Sequence, residues 1–444
     1  MGKSNRQRRG MKARKRRRPT GPPPMGRSAS GRPPREPLGR ENTGYGAAQL
    51  FVTAAWSHQR GLDVERDGYL DELAARPAEA VLPDVEARLT EDVGRLWDAG
   101  WQPTDLHRYV AKRLGTDACR LALVLLAVDA RGYEALGHRV APGWMAQLDA
   151  LDVPITEADL GLTLRHLAPR WRDSLFTAVE LQALLGSMPS LPRLVDPPSA
   201  WAEGRVHPTG DVPAGLLAKI RGLLAKAEST TFDAEAEAYT AKAQELMARH
   251  RIDRALLADA APVEATDVVG RRIGIDDPYA SAKYMLLAGL AEVNGARAVW
   301  SKSLGAATVF GFPVELDIIE ELFTSLLVQA TAAMQREGSK EDAYGRSRTK
   351  AFRRSFLMAY GDRVAERLRH CVDDTVTTVA AETGTDLVPI LAARDEAVAA
   401  RVDEVFPRLR SMSASISDAE GVFAGRQAAD RADLGAGPPI ERSA

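Results

Sequence analysis

Apolar residues recur at helical spacing through most of this 444-residue chain, and glycines and prolines cut the pattern into helix-sized pieces. Leu89, Val93, Leu96 and Trp97 fall at i, i+4, i+7 and i+8, one face of a helix. Gly100 stops it. Pro103, Thr104 and Asp105 open a second helix through Leu106, Tyr109, Val110 and Leu114, which Gly115 ends. Cys119 to Asp129 reads as an apolar buried helix, and Leu162 to Trp171 and Leu175 to Leu185 as further helix. Residues 44–188 are therefore expected to form a helical N-terminal domain. Trp56, Trp97, Trp101, Trp144 and Trp171 read as packing anchors, because burial is the default use of an indole. Pro192, Pro197, Pro198 and Pro208, with Gly204 and Gly210, mark a linker over 189–211.

The turn from Asp98 to Gln102 permits a helix-turn-helix. Gln102, Thr104, Asp105, His107 and Arg108 would then face base edges, although Asp105 would meet phosphates unfavourably. The competing reading is a plain helical hairpin inside a bundle.

Between 265 and 385 the pattern changes to mixed α+β. Pro278 to Asn294 reads as a helix, Ala296 to Ser301 and Ala306 to Gly311 as a β-hairpin. Two long helices follow, one opened by Pro313 and closed by Gly338, the other carrying Phe352, Phe356, Tyr360, Val364 and Leu368. This order predicts an α+β layer with the hairpin covered on one face. Residues 386–444 read as a partly helical C-terminal tail, with a helix from Arg394 to Val405 and a small-residue element from Gly421 to Asp430. Gly421 and Gly425 do not make a phosphate loop, since no Lys-Ser/Thr follows and no strand precedes.

Residues 212–260 carry the most specific pattern. Leu216, Leu217, Ile220, Leu223, Leu224 and Ala227 form one helical stripe, Ser229 to Asp233 a break, and Ala236, Tyr239, Ala243, Leu246, Met247 and His250 a second stripe. The alanines keep the second helix thin, so the pair reads as an antiparallel hairpin. The runs Lys219-Ile220-Arg221-Gly222-Leu223-Leu224-Ala225-Lys226-Ala227, Glu235-Ala236-Glu237-Ala238 and Ala241-Lys242-Ala243-Gln244-Glu245-Leu246-Met247, ending at Ile252-Asp253, resemble the bacterial and phage family called domain of unknown function 2786. The resemblance implies a helical fold and, often, an α+β segment after the helical pair. It implies no established biochemical role. Members occur in phage and mobile-element genomes, sometimes beside nucleic-acid functions. His250 has no second ligand at metal spacing, so it reads as a packing or helix-terminal residue. The expected fold class is mainly α with a smaller α+β part: a multi-unit chain of N-terminal helical bundle, helical hairpin and helix–β-hairpin–helix–helix unit.

A formal charge of −1 hides a lopsided chain. Residues 1–40 hold fourteen Lys/Arg against the single acid Glu36, a net of +13, which leaves −14 on the remainder. Lys12, Arg14, Lys15, Arg16, Arg17 and Arg18 form its densest run, and Pro, Gly and Ser follow. Such a composition buries too little apolar surface to offset chain entropy, so 1–43 is expected to be a disordered basic tail. A flexible cationic arm attracts backbone phosphates without reading sequence. In the body, Arg346, Arg348, Lys350, Arg353 and Arg354 form the one compact basic cluster, and Lys350, Arg353 and Arg354 join the arm as candidate nucleic-acid contacts. Pairing of this cluster with Glu315, Asp317, Glu320 and Glu321 is the alternative reading.

The two cysteines, Cys119 and Cys371, exclude a disulfide framework or a four-thiolate metal site and fit a reducing cytoplasm. The longest wholly apolar run, Leu121 to Val128, is far below the roughly 20 residues that span a bilayer, so no membrane partner is expected. No two-His zinc helix, Walker loop, dinucleotide fingerprint or nucleophile elbow is present. No catalytic residue, metal ligand or cofactor is assigned. The expected function is a cytoplasmic, non-enzymatic binding or regulatory protein with nonspecific nucleic-acid contact. The alternatives are a metal-dependent hydrolase or nuclease using the acids at 315–321, and a protein–protein adaptor.

Overall fold

The computed structural model describes residues 44–135, 140–201, 215, 218–220, 222, 223, 226, 233–258, 268–410 and 416–432. The N-terminal part is helical: α1 (Ala47–Gln59), α2 (Asp63–Ala74), α3 (Ala78–Asp98), α4 (Pro103–Arg113), α5 (Thr116–Ala135), α6 (Pro142–Ala150), α7 (Leu160–His166) and α8 (Trp171–Ser187). Leu89, Val93, Leu96 and Trp97 lie on the buried face of α3, as their spacing requires. α3 packs against α1, α5 and α8, whose Leu50, Phe51, Leu121, Leu125, Leu175 and Val179 are buried as well. Each such side chain contributes roughly 1.5–3 kcal/mol on leaving water. Trp97, Trp101 and Trp144 are buried, whereas Trp56 is 47% exposed beneath the Arg60 guanidinium.

The segment after α8 is fastened to the α3–α4 turn. Leu191 N–H donates to Ala99 O at 2.8 Å, Trp101 Nε1 to Pro189 O at 2.8 Å and Ser199 Oγ to Asp98 Oδ1 at 2.7 Å. A short helix, α9 (Pro198–Trp201), then sets Trp201 edge-on to Trp144. Residues 202–211 of the expected linker lie outside the described residues.

The second half holds α10 (Asp233–Ala258), β1 (Val269–Gly274), α11 (Ala280–Val293), β2 (Arg297–Ser301), β3 (Ala306–Gly311), α12 (Pro313–Arg336), α13 (Thr349–Thr383), α14 (Val388–Val405) and α15 (Ala419–Asp430). The hairpin β2–β3 forms as its sequence predicts, but β1 adds a third strand on the other side of β3. The sheet order is β1-β3-β2, all antiparallel. Val269 faces Gly311 and Gly274 faces Ala306; on the other side Arg297 faces Phe310 and Ser301 faces Ala306.

Both faces of this sheet are covered, not one. Ile273, Ala307 and Val309 pack into a core with Leu286, Leu290, Leu322, Phe323 and Phe356 from α11, α12 and α13. Phe310 and Val299, on the opposite face, pack with Val398, Val402 and Phe406 from α14 and its end. The alternation of side chains along a strand produces both contacts from one β3 sequence.

α15 is docked against α13. Gly421 and Gly425, four apart and so on one face, bring bare backbone against the Phe352 and Phe356 carbonyls, and a Cβ at either position would collide with them. Ion pairs flank the contact: Arg363 Nε to Asp430 at 2.5 Å and Arg426 to Glu366 at 3.1 Å. Arg367 donates to the carbonyls of Ala429 and Ala432, satisfying the last turn of α15. The small residues from Gly421 onward are thus the close-approach face of a helix.

Candidate functional site

The basic cluster straddles the start of α13, and its cations, with the neighbouring Lys340, divide into two groups. Lys340 reaches Glu337 at 3.0 Å and Glu420 at 2.8 Å. Arg346 pairs with Asp342 at 2.9 Å, and Arg348 with Asp418 at 2.7 Å and with Glu420. Lys350, Arg353 and Arg354, spaced i, i+3 and i+4, share one side of the first turns of α13. None of these three makes an ion pair among the described residues, and the Arg353 Nε is buried without a hydrogen-bond partner. No acid occupies the first turn of this 35-residue helix, so three positive charges stand at its positive end.

The loop that leads into α13 is ordered by its own backbone. Arg348 N–H donates to Lys340 O and Asp342 N–H to Arg346 O, both at 2.9 Å, and Glu341 bridges Ser347. Asp342 Oδ1 accepts from the Tyr344 and Arg346 amides at 2.9 Å. These amide hydrogen bonds, with the Arg346 side chain, hold the Asp342 carboxyl below its ordinary range. Tyr344 sits at the tip, 83% exposed, with the Arg346 guanidinium 5.3 Å from its ring centroid. In the sequence, an aromatic beside Gly345 in a polar loop is the available signal.

The acids of α12 do not serve the basic cluster. Glu315 is buried and accepts from Arg394 at 2.7 Å and from the Phe312 amide at 3.3 Å, with Arg251 Nε at 3.9 Å. Burial pushes its carboxyl upward, against the pull of Arg394 and Arg251. Asp317 and Glu320 both grip Arg271 of β1, at 2.7 and 3.0 Å. Glu315, Asp317 and Glu320, three of the acids that a hydrolase would use, therefore face arginines. Among the described residues, no group of three or more His, Cys, Asp or Glu is placed to hold a metal ion. An open groove of about 560 Å³ runs beside Ile273 and the outer face of α12; Glu320, already paired, is its one charged lining residue.

The start of α4 is likewise engaged within the chain. Gln102 and Asp105 are buried. Gln147 of α6 donates to Gln102 at 2.8 Å and accepts from Thr104 at 2.9 Å. Asp105 accepts from Arg272 at 2.5 Å, and Arg108 pairs with Asp276. His107 is half-buried, which lowers its pKa. The residues that a helix-turn-helix would present to base edges are thus turned onto α6 and the sheet, so this pair is a hairpin docked in the fold.

Lys12, Arg14, Lys15, Arg16, Arg17 and Arg18 lie outside the described residues. So does most of the first helix expected at 212–260, of which Ile220 is buried in the core below the sheet. Its partner, α10, buries Ala243, Met247 and Ile252 against that core and against Val379 and Leu387. Arg249 pairs with Glu382 near the far end of α13, and Arg251 with Asp395 of α14 at 2.8 Å.

Comparison with known proteins bears on this helix. Residues 215–254 match the family model described as protein of unknown function (DUF2786). No curated protein and no solved structure matches the chain. The DUF2786 segment contributes Arg251 to the buried Glu315–Arg394 contact, beside a cavity of about 10 Å³, room for no more than one water. It docks at one end of α13 and the unpaired cations stand at the other. Glu382 and Lys350 are 32 positions apart, roughly 48 Å at 1.5 Å per residue. Among the described residues, no helix is long and apolar enough to cross a membrane.

Proposed function

We propose that this chain is a cytoplasmic, non-enzymatic binding or regulatory protein that contacts nucleic acid through backbone phosphates. The observation that carries the reading is the division within the basic cluster. Lys340, Arg346 and Arg348 are neutralised in the chain, while Lys350, Arg353 and Arg354 share a helix side without an ion pair among the described residues. The +13 of residues 1–40 supports it independently. The two free thiols, Cys119 and Cys371, fit a reducing compartment.

A binding titration of a labelled polynucleotide over a range of salt concentrations tests the reading. Affinity is expected to fall steeply and linearly on a log–log scale, and to be largely lost on deletion of residues 1–40. Binding by the truncated chain equal to that of the full chain, with no dependence on salt, would retire the proposal.

A further inference from the structure

We propose that the 338–348 loop and the head of α13 form a contact for single-stranded polynucleotide, in which Tyr344 stacks on a base while Lys350, Arg353 and Arg354 hold phosphates. This rests on the phosphate-contact reading above and goes further, because it fixes the form of the strand.

Three features of the structure combine here. Tyr344 projects from a tip pinned on both sides, by the Asp342 carboxylate at its own amide and that of Arg346, and by the Glu341–Ser347 bridge behind it. Its ring is 83% exposed, and its hydroxyl makes no hydrogen bond among the described residues. The backbone that carries the ring is thus already ordered before a strand arrives. The Arg346 guanidinium, tied to Asp342 at 2.9 Å, lies over one face of the ring, 5.3 Å from its centroid, and leaves the other face for a base. The third feature is the reach from ring to cations. Lys340 N–H donates to Thr349 Oγ1 at 2.9 Å, which places the base of the loop beside Lys350. Tyr344 lies in the turn closed by the Gly345 N–H donating to Asp342 O at 3.0 Å, four residues beyond Lys340.

Duplex bases are already stacked on one another and offer a protruding tyrosine no free face. A single strand offers one at every nucleotide, and its phosphates follow the cations. The pairing of an exposed ring on a pinned tip with cations that make no ion pair among the described residues therefore selects unpaired strand over duplex without reading sequence.

The test uses the full chain and fluorescence anisotropy with three probes of about twelve nucleotides: oligothymidylate, an abasic strand of equal length, and a duplex. Salt is held at about 150 mM, where exposed charges are screened beyond roughly 8 Å. Oligothymidylate is expected to bind more tightly than the abasic strand or the duplex. Tyr344→Ala is expected to weaken oligothymidylate roughly five- to tenfold and leave the abasic strand unchanged, while Tyr344→Phe stays within about twofold. Oligothymidylate binding unaltered in Tyr344→Ala, as a protein-docking tyrosine would give, overturns the inference. So does an equal loss on the abasic strand, or a duplex bound as tightly as the single strand. Binding of oligothymidylate and abasic strand with one affinity removes the stacking alone and leaves phosphate contact standing. Failure to bind any of the three removes both.

Discussion

Arg272 of β1 and Asp105 of α4, 167 positions apart, meet in a buried ion pair at 2.5 Å, and the same guanidinium donates to the carbonyls of Gly100 and Pro192. One side chain thus ties the sheet, the α3–α4 turn and the segment after α8 together. Burial pushes the Asp105 carboxyl up more strongly than Arg272 pulls it down. Arg272→Met is expected to destabilise the protein by about 3–5 kcal/mol, because it strands a buried carboxylate. The double change Arg272→Met with Asp105→Leu is expected to recover most of that loss. Urea midpoints at pH 7 compare the two, and a single variant within about 1 kcal/mol of the parent would show the pair to be dispensable.

Asp129 is a buried carboxylate of a different kind. It accepts from Trp97 Nε1 at 2.8 Å and from the Tyr133 hydroxyl, and burial raises its pKa to about 6. The folded state therefore holds this proton more tightly than the unfolded chain, whose reference value is 3.8. The contribution to stability is full below about pH 4 and is lost as pH rises through about 6, by up to ~3 kcal/mol. Asp129→Asn is expected to be more stable than the parent at pH 7 and to flatten the profile between pH 4 and 6. Unfolding followed by tryptophan fluorescence across that range reads the slope directly; a slope the variant leaves unchanged assigns it elsewhere.

Two glycine-to-alanine changes should move stability in opposite directions. Gly425→Ala drives a methyl into the Phe356 carbonyl and is expected to cost about 1–3 kcal/mol, loosening α15 from α13. Gly68, inside α2, has nothing within 4 Å of an added Cβ, so Gly68→Ala is expected to stabilise by about 0.5–1 kcal/mol. Thermal melts of the two side by side, with proteolysis near residue 416 as a report on α15, make the comparison.

Replacing Lys350, Arg353 and Arg354 together by alanine tests the phosphate contacts without touching the core. The slope of log affinity against log salt for a single strand is expected to become shallower by about 2, at roughly 0.7 per contact. A parallel change at Lys340 and Arg348, whose charges are matched by Asp418 and Glu420, is expected to leave that slope alone and to lower stability instead. The reverse result would exchange the roles of the two groups.

Local chemistry made much of this fold legible. Gly100 and Pro103 bound α3 and α4 to within two residues, and the β2–β3 hairpin and the long helices follow from periodicity and flanking turn residues. β1 was not legible, because Val269-Gly270-Arg271-Arg272-Ile273-Gly274 reads as a weak strand on its own. Its two arginines are tolerated by Asp317, Glu320 and Asp105, which are far away in the chain. The same separation hid the pairing of the basic cluster. Its distant acids are Asp418 and Glu420, while Glu315, Asp317 and Glu320 of α12 are taken by Arg251, Arg271 and Arg394. Lys350, Arg353 and Arg354 were visible as a cluster; that they alone of its members would be left over was set by contacts between elements.

The two-sided cover of β3 governs how the protein can be dissected. A recombinant piece that stops after α13 would keep α11 and α12 over Ala307 and Val309 yet strip the lid of Val398, Val402 and Phe406 from Phe310. Such a piece would present an aromatic strand to solvent and self-associate, so any stickiness it displayed in a pull-down would report the missing lid and not a physiological partner.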